Sequence, residues 1–201
     1  MLQQLPALNP IEVGGLISGV VYVILAAREN VWCWPAGLVN VVLFIFLNFE
    51  AKLYADVGLQ VVYLLLTVFG WYNWLKKTND PEKHIPITHT SGTEWLAMAA
   101  FTLTATCLLS LLLTRYTDTN VPRWDSFVTA LSLAATWMVA VKKLENWLVW
   151  IFTDLLYVAL YYYKNLYLPA ILFALYVVIA VQGYFYWRKL MQKQPAEERL
   201  W

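Results

Sequence analysis

Asp154 is the residue whose surroundings call for chemistry. It closes the run Trp147-Leu148-Val149-Trp150-Ile151-Phe152-Thr153-Asp154, in a chain that is 61% hydrophobic. Steps of three and four residues line Trp147, Trp150, Asp154, Tyr157 and Tyr161 along one face of a helix. At ~1.5 Å rise per residue the carboxylate lies about 10 Å in from the Trp147 end. If the segment spans a bilayer, an ionisable group at that depth costs at least about 2.5 kcal/mol on insertion scales. It is therefore expected to face the bundle interior and to have a function. Two indole faces one helical turn from an acid suit a flat, cationic, heteroaromatic ligand, through stacking, cation–π attraction and charge pairing. Taken alone, Trp147 reads equally well as an interfacial anchor and Trp150 as a lipid-facing ring. Asp154 on the same stripe favours a site.

Further polar groups fall inside apolar segments. Asp56, Gln60 and Tyr63 follow at i, i+4 and i+7 and share a face. Asp56 sits near one end and is explained by solvation alone. Gln60 is deeper, and a buried amide needs either a ligand or a neighbouring helix. Asn40 and Asn48 pose the same question, with helix–helix bonding favoured for Asn48. Asn73 closes its segment between Trp71 and Trp74, and Asp125 in a first helical turn complements the helix dipole. Catalysis finds little: His84 and His89 lie in a polar connection, without metal-ligand spacing. A retinal-type Schiff base needs a mid-membrane lysine, and Lys189 lies past the end of the last apolar segment. These observations predict passage of a small molecule, with no enzyme activity, metal or cofactor.

Composition fixes the class. With 201 residues, 13% charged, and a mean hydropathy of +0.55, this is an integral membrane protein. A net charge of +1 leaves no footprint for nucleic acid. Cys33 and Cys107 imply no disulfide framework. The first residues lack a basic run and a cleavage site, so no signal peptide is expected to be removed. Seven apolar stretches are long enough to cross a bilayer as helices: Ile11–Ala27, Val31–Leu47, Ala55–Trp74, Trp95–Thr114, Asp125–Val141, Trp147–Tyr163 and Leu166–Trp187. The polar linker opens with Thr78-Asn79-Asp80-Pro81, and Pro81 and Pro86 rule out a continuous helix through it. Placing the N-terminus outside puts ten Lys and Arg on the inner side and four on the outer, so the C-terminus is expected in the cytoplasm. Trp74, Trp95, Trp124, Trp147 and Trp187 then fall at span ends, as an aromatic belt requires.

An internal repeat organises the spans. At an offset of 113, Trp34 matches Trp147, Leu53-Tyr54 matches Leu166-Tyr167, Tyr63 matches Tyr176, Gly70 matches Gly183 and Trp74 matches Trp187. With a small gap, Glu29-Asn30 also recurs as Glu145-Asn146. The chain thus reads as a three-helix repeat (1–75), a polar cytoplasmic linker (76–94), a linking helix with its outer loop (95–122), a second three-helix repeat (123–190) and a cytoplasmic tail (191–201). A fourth helix between two three-helix units restores the direction of the second. The repeats are then parallel, and a site is expected near mid-membrane between them.

The residues Trp147-x-x-Trp150-x-x-x-Asp154, preceded by Glu145-Asn146, resemble the WxxWxxxN motif of the PnuC-type vitamin transporters. Gly37-Leu38-Val39-Asn40, Leu53-Tyr54-Ala55-Asp56, Gln60, Gly70-Trp71-Tyr72 and Trp124-Asp125-Ser126 extend the resemblance over nearly the whole chain. It implies a 3+1+3 helix fold similar to the SWEET sugar transporters, assembled as a homotrimer in a bacterial inner membrane. It further implies facilitated diffusion of an unphosphorylated vitamin, trapped afterwards by a cytoplasmic kinase. Asp154 departs from the motif: nicotinamide riboside members carry Asn there. An aspartate can only accept unless protonated, which suits the NH₂ donor of thiamine's aminopyrimidine better than a carboxamide. The short termini also resemble the thiamine-transporting, PnuT-like branch, and nicotinamide riboside, itself cationic, is the runner-up. A receptor or scaffold that binds the vitamin without moving it is the alternative of another class.

Overall fold

Uninterrupted apolar stretches that bury their backbone polar groups internally fold as helices, and the chain forms seven of them. The computed structural model describes residues 10–76, 85–117 and 119–194. The helices are α1 (Pro10–Ala27), α2 (Cys33–Glu50), α3 (Tyr54–Lys76), α4 (Gly92–Tyr116), α5 (Pro122–Ala140), α6 (Asn146–Tyr163) and α7 (Tyr167–Lys193). The N-terminal residues expected to be retained without cleavage, the Pro81 turn, Lys77, Lys83, His84 and Arg199 lie outside the described residues. α7 runs six residues beyond the expected end at Trp187, because Met191 still packs into the core. α4 opens on a capping box, in which Ser91 accepts from the Glu94 N–H and the Glu94 carboxylate accepts from that of Ser91.

Five of the seven helices, α1, α2, α3, α4 and α7, are long and apolar enough to cross a membrane by length and composition. α5 and α6 are of similar length but carry the polar interior. α5 buries Ser126, Ser132 and Thr136, and α6 buries Asn146, Thr153 and Asp154. The hydroxyls of Ser126, Ser132, Thr136 and Thr153 each bond the carbonyl four residues back, at 2.7–2.8 Å, so they need no water. Enclosure by neighbours lets these two helices be less apolar than those facing lipid.

Packing follows the repeat. Within each unit the first helix packs on the second and the second on the third. Between units α1 meets α7 and α3 meets α5, which are equivalent pairs, while α4 lies against α5. The turns repeat without a gap. Glu29 and Lys142 both have φ 55°, and Lys52 and Asn165 have φ 58° and 59°, each pair 113 residues apart. The gapped match of Glu29-Asn30 to Glu145-Asn146 is therefore corrected: Glu29 corresponds to Lys142, and Cys33 to Asn146. A left-handed conformation costs a side-chain-bearing residue roughly 1–2 kcal/mol. Here two of the four residues that adopt it meet across the repeat interface, Lys142 Nζ lying 2.7 Å from Glu29 Oε1 and 4.6 Å from the centre of the Trp74 ring.

The belt expectation is corrected as well. Trp74, Trp147 and Trp187 are buried, and with Trp34 they form a continuous cluster joining the repeats; of the five expected belt residues only Trp95 is exposed. Trp34 meets Trp74 edge-on at 5.5 Å and Trp147 meets Trp187 edge-on at 5.4 Å, while Trp74 and Trp187 touch at 6.1 Å. Gly70 and Gly183 make room for it: a Cβ on Gly70 would stand 2.1 Å from the Trp34 ring, and one on Gly183 2.9 Å from that of Trp147. The Trp74 indole N–H donates to the Val139 carbonyl at 3.3 Å and that of Trp187 to the Ala26 carbonyl at 3.1 Å, so each repeat grips the other through the same bond.

The second half of the polar linker forms a strap across the α5–α6 turn. Thr88 N–H donates to the Lys142 carbonyl at 3.1 Å and Leu144 N–H to that of Thr88 at 2.9 Å, while Ile87 is wholly buried. Glu145 holds the strap from the other side, accepting from the Thr90 N–H and hydroxyl at 2.8 Å each and pairing with His89 Nδ1 at 2.6 Å. Burial alone would raise the Glu145 pKa, but the bonds from His89 and Thr90 outweigh it and hold the carboxyl below its ordinary value. That contribution is complete at neutral pH and is lost as pH falls through the lowered value. Glu145→Gln removes charge-assisted bonds worth ~1.5–3 kcal/mol, so the Thr88 and Leu144 amides are expected to exchange hydrogen at least about tenfold faster at pH 7. Unchanged exchange there would show that the strap does not depend on Glu145.

Candidate functional site

α6 delivers Asp154 to the interior. The residue is 2% exposed, and its Oδ1 has no hydrogen-bond partner among the described residues. No lysine, arginine or histidine among the described residues forms an ion pair with it. One turn towards the N-terminus Trp150 is half-buried, packed against both core clusters. One turn the other way Tyr157 stacks on Phe173 of α7 at 4.4 Å, and Tyr161 stacks on the same ring at 5.4 Å. Ser132 of α5 hydrogen-bonds with the Tyr157 hydroxyl at 3.2 Å. Tyr63 of α3 lies near Ser132 and near Tyr157. Tyr176 of α7 lies near enough to Asp154 to feel its charge. A carboxylate with an open acceptor thus stands near aromatic rings drawn from α6 and α7.

The other candidates separate. Trp147 sits in the tryptophan cluster against Gly183 and Trp187, its indole N–H without a partner, as is that of its repeat mate Trp34. Asn40 donates to the Gly15 carbonyl at 2.7 Å and ties α2 to α1; Asn73 donates to the Ala140 carbonyl at 2.8 Å and ties α3 to the end of α5. Asp56 and Gln60 are half-buried on α3. Asp125 is more than a dipole partner, since Lys164 from the α6–α7 turn contacts both its oxygens, at 2.8 and 3.0 Å.

Sequence reasoning passed over Ser132, Phe173 and Tyr176 as groups near the acid, and Tyr22 as a ring packed on Trp34. Tyr176 was within reach, being the repeat mate of Tyr63, and Phe173 is the repeat mate of Gln60. Ser132 and Tyr22 carry no signal of their own in so apolar a chain.

A helical membrane protein with an interior carboxylate near aromatic rings has the make-up of a transporter of small organic molecules. The chain belongs to the nicotinamide mononucleotide transporter family, whose model matches residues 9–189. It is similar to the nicotinamide riboside transporter PnuC of Escherichia coli (strain K12), 28% identical over 210 residues covering 90% of this chain and 85% of the relative. The riboflavin/roseoflavin transporter RibM of Streptomyces davaonensis is 24% identical over 175 residues, covering 86% of this chain and 82% of the relative. In fold the chain is similar to the crystal structure of the vitamin B3 transporter PnuC, with a TM-score of 0.72 and 21% identity, over 92% of this chain and 83% of that one.

Proposed function

We propose that this protein moves thiamine across the bacterial inner membrane by facilitated diffusion, nicotinamide riboside being the second candidate of the same cationic, heteroaromatic class. The carrying observation is the buried carboxylate of Asp154 with an unpartnered oxygen. A buried charge without a partner is costly, and a cationic ligand relieves that cost directly. The riboflavin of the RibM relative carries no positive charge on its ring system and would leave it standing. Trp150 supports the reading with a half-buried indole one turn from the acid, suited to stacking and cation–π contact. Asp154, Trp150, Tyr157 and Tyr63 are the contacts proposed first. Trp147, Asn40, Asn73, Gln60 and Asp56 complete the candidate set, with Trp147, Asn40 and Asn73 engaged in helix packing. The lysine and arginine asymmetry supports an outside N-terminus and a cytoplasmic C-terminus, and the family resemblance supports a homotrimer feeding a cytoplasmic vitamin kinase.

Proteoliposomes loaded with a thiamine-phosphorylating enzyme and ATP test the reading. Labelled thiamine is expected to accumulate inside only when the protein is present. Saturable binding without accumulation would make it a receptor or scaffold. Trp150→Ala is expected to weaken thiamine binding by roughly 1–2 kcal/mol, about five- to thirtyfold, in a calorimetric titration. An unchanged affinity would remove Trp150 from the site.

A further inference from the structure

We propose that Tyr176 is a second polar contact for the ligand, acting beside Asp154, and that Gly19 keeps its hydroxyl available. The inference rests on the reading that a nitrogenous heteroaromatic vitamin occupies the interior site. It comes from a difference between the two repeats. Tyr63 and Tyr176 are equivalent, 113 residues apart, each reaching from the third helix of one repeat towards the first helix of the other. On one side the receiving residue is Ser132, whose hydroxyl bonds that of Tyr157 at 3.2 Å and lies within reach of Tyr63. On the other side the equivalent residue is Gly19, which has no side chain to offer.

A Cβ on Gly19 would stand 3.0 Å from the Tyr176 hydroxyl and 3.1 Å from Asn40 Nδ2. The Asn40 amide is committed to the Gly15 carbonyl. The Tyr176 hydroxyl takes no hydrogen-bond partner among the described residues, and it lies near enough to Asp154, whose Oδ1 is buried without a partner among them, to feel its charge. Buried polar groups are almost always paired, so the unpartnered Asp154 oxygen, with a half-buried phenol within reach of its charge, calls for a partner from outside the chain.

Their chemistry specifies that partner. An ionised carboxylate only accepts, whereas a phenol can donate. The pair reads a ligand edge that presents an N–H donor next to an acceptor, as an amine beside a ring nitrogen does in an aminopyrimidine, or the two halves of a carboxamide. The packing geometry of Gly19 is part of the design, because any side chain there would press on the reading hydroxyl.

Tyr176→Phe removes only the oxygen and tests the assignment in the full-length protein. Titrations use thiamine and nicotinamide riboside, and the comparison uses whichever wild type binds. Affinity is expected to fall about five- to tenfold, the range of a neutral hydrogen bond. The ligand-free melting temperature is expected to stay within about a degree, since no internal bond is lost, while the ligand-induced rise shrinks. Gly19→Ala is expected to weaken binding in the wild-type background and to cost less once Tyr176 is Phe, because the oxygen it would strike is gone. Unchanged affinity in Tyr176→Phe, or a lower ligand-free melting temperature with affinity retained, overturns the inference and makes the hydroxyl structural. If wild type binds neither vitamin, the proposed function itself fails, and this assignment with it.

Discussion

Asp154→Asn is expected to move the two candidate vitamins in opposite directions. The substitution keeps size and shape and removes the charge and the obligate acceptor. If the carboxylate reads thiamine's aminopyrimidine edge, the change strips a charge-assisted hydrogen bond worth ~1.5–3 kcal/mol. Thiamine affinity then falls about ten- to a hundredfold. The same change installs the amide of the riboside-type motif, which can both donate and accept, so nicotinamide riboside binding stays level or rises. A folding defect would lower both affinities, which makes the divergence diagnostic. The structure strengthens the expectation, because no lysine, arginine or histidine among the described residues pairs with the carboxylate. Thiamine binding unaltered in the mutant would sink the substrate assignment and leave Asp154 a structural acid.

Trp187→Ala is expected to be the most destabilising of the single changes considered. The indole is completely buried, touches both Trp74 and Trp147, and donates to the Ala26 carbonyl across the repeat interface. Truncating a buried aromatic to Ala costs about 3–5 kcal/mol through lost burial and the cavity left behind. Losing the partner of a buried carbonyl adds to that cost. Thermal unfolding of the purified protein in detergent checks it, with Trp150→Ala as the comparison. That residue is only half-buried, so its truncation should cost stability less and ligand affinity more. Equal melting temperatures for the two variants would show that the tryptophan cluster does not hold the repeats together.

The amino-acid sequence by itself determined the helices, their number and their pairing into repeats. Hydropathy, helical period and an offset of 113 residues are all properties of local stretches, and the membrane forces apolar stretches into helices whatever they later touch. It also determined that Asp154 faces inwards, because the insertion cost of a carboxylate depends on depth more than on neighbours. Tertiary structure alone decided which polar and aromatic side chains meet. Trp147 shares its helical stripe with Asp154, yet the close approach that Gly183 permits draws it into the tryptophan cluster. Asn40 and Asn73 found backbone carbonyls on neighbouring helices, and Glu145 was spent on the strap rather than on a ligand. Each of these outcomes depends on how two helices are rotated and how closely they approach, and helical periodicity carries no such information. The free hydroxyl of Tyr176 has the same origin: a serine in one repeat and a glycine in the other differ by a few atoms, and only the packing of α7 on α1 turns that difference into an open hydrogen-bonding group beside the acid.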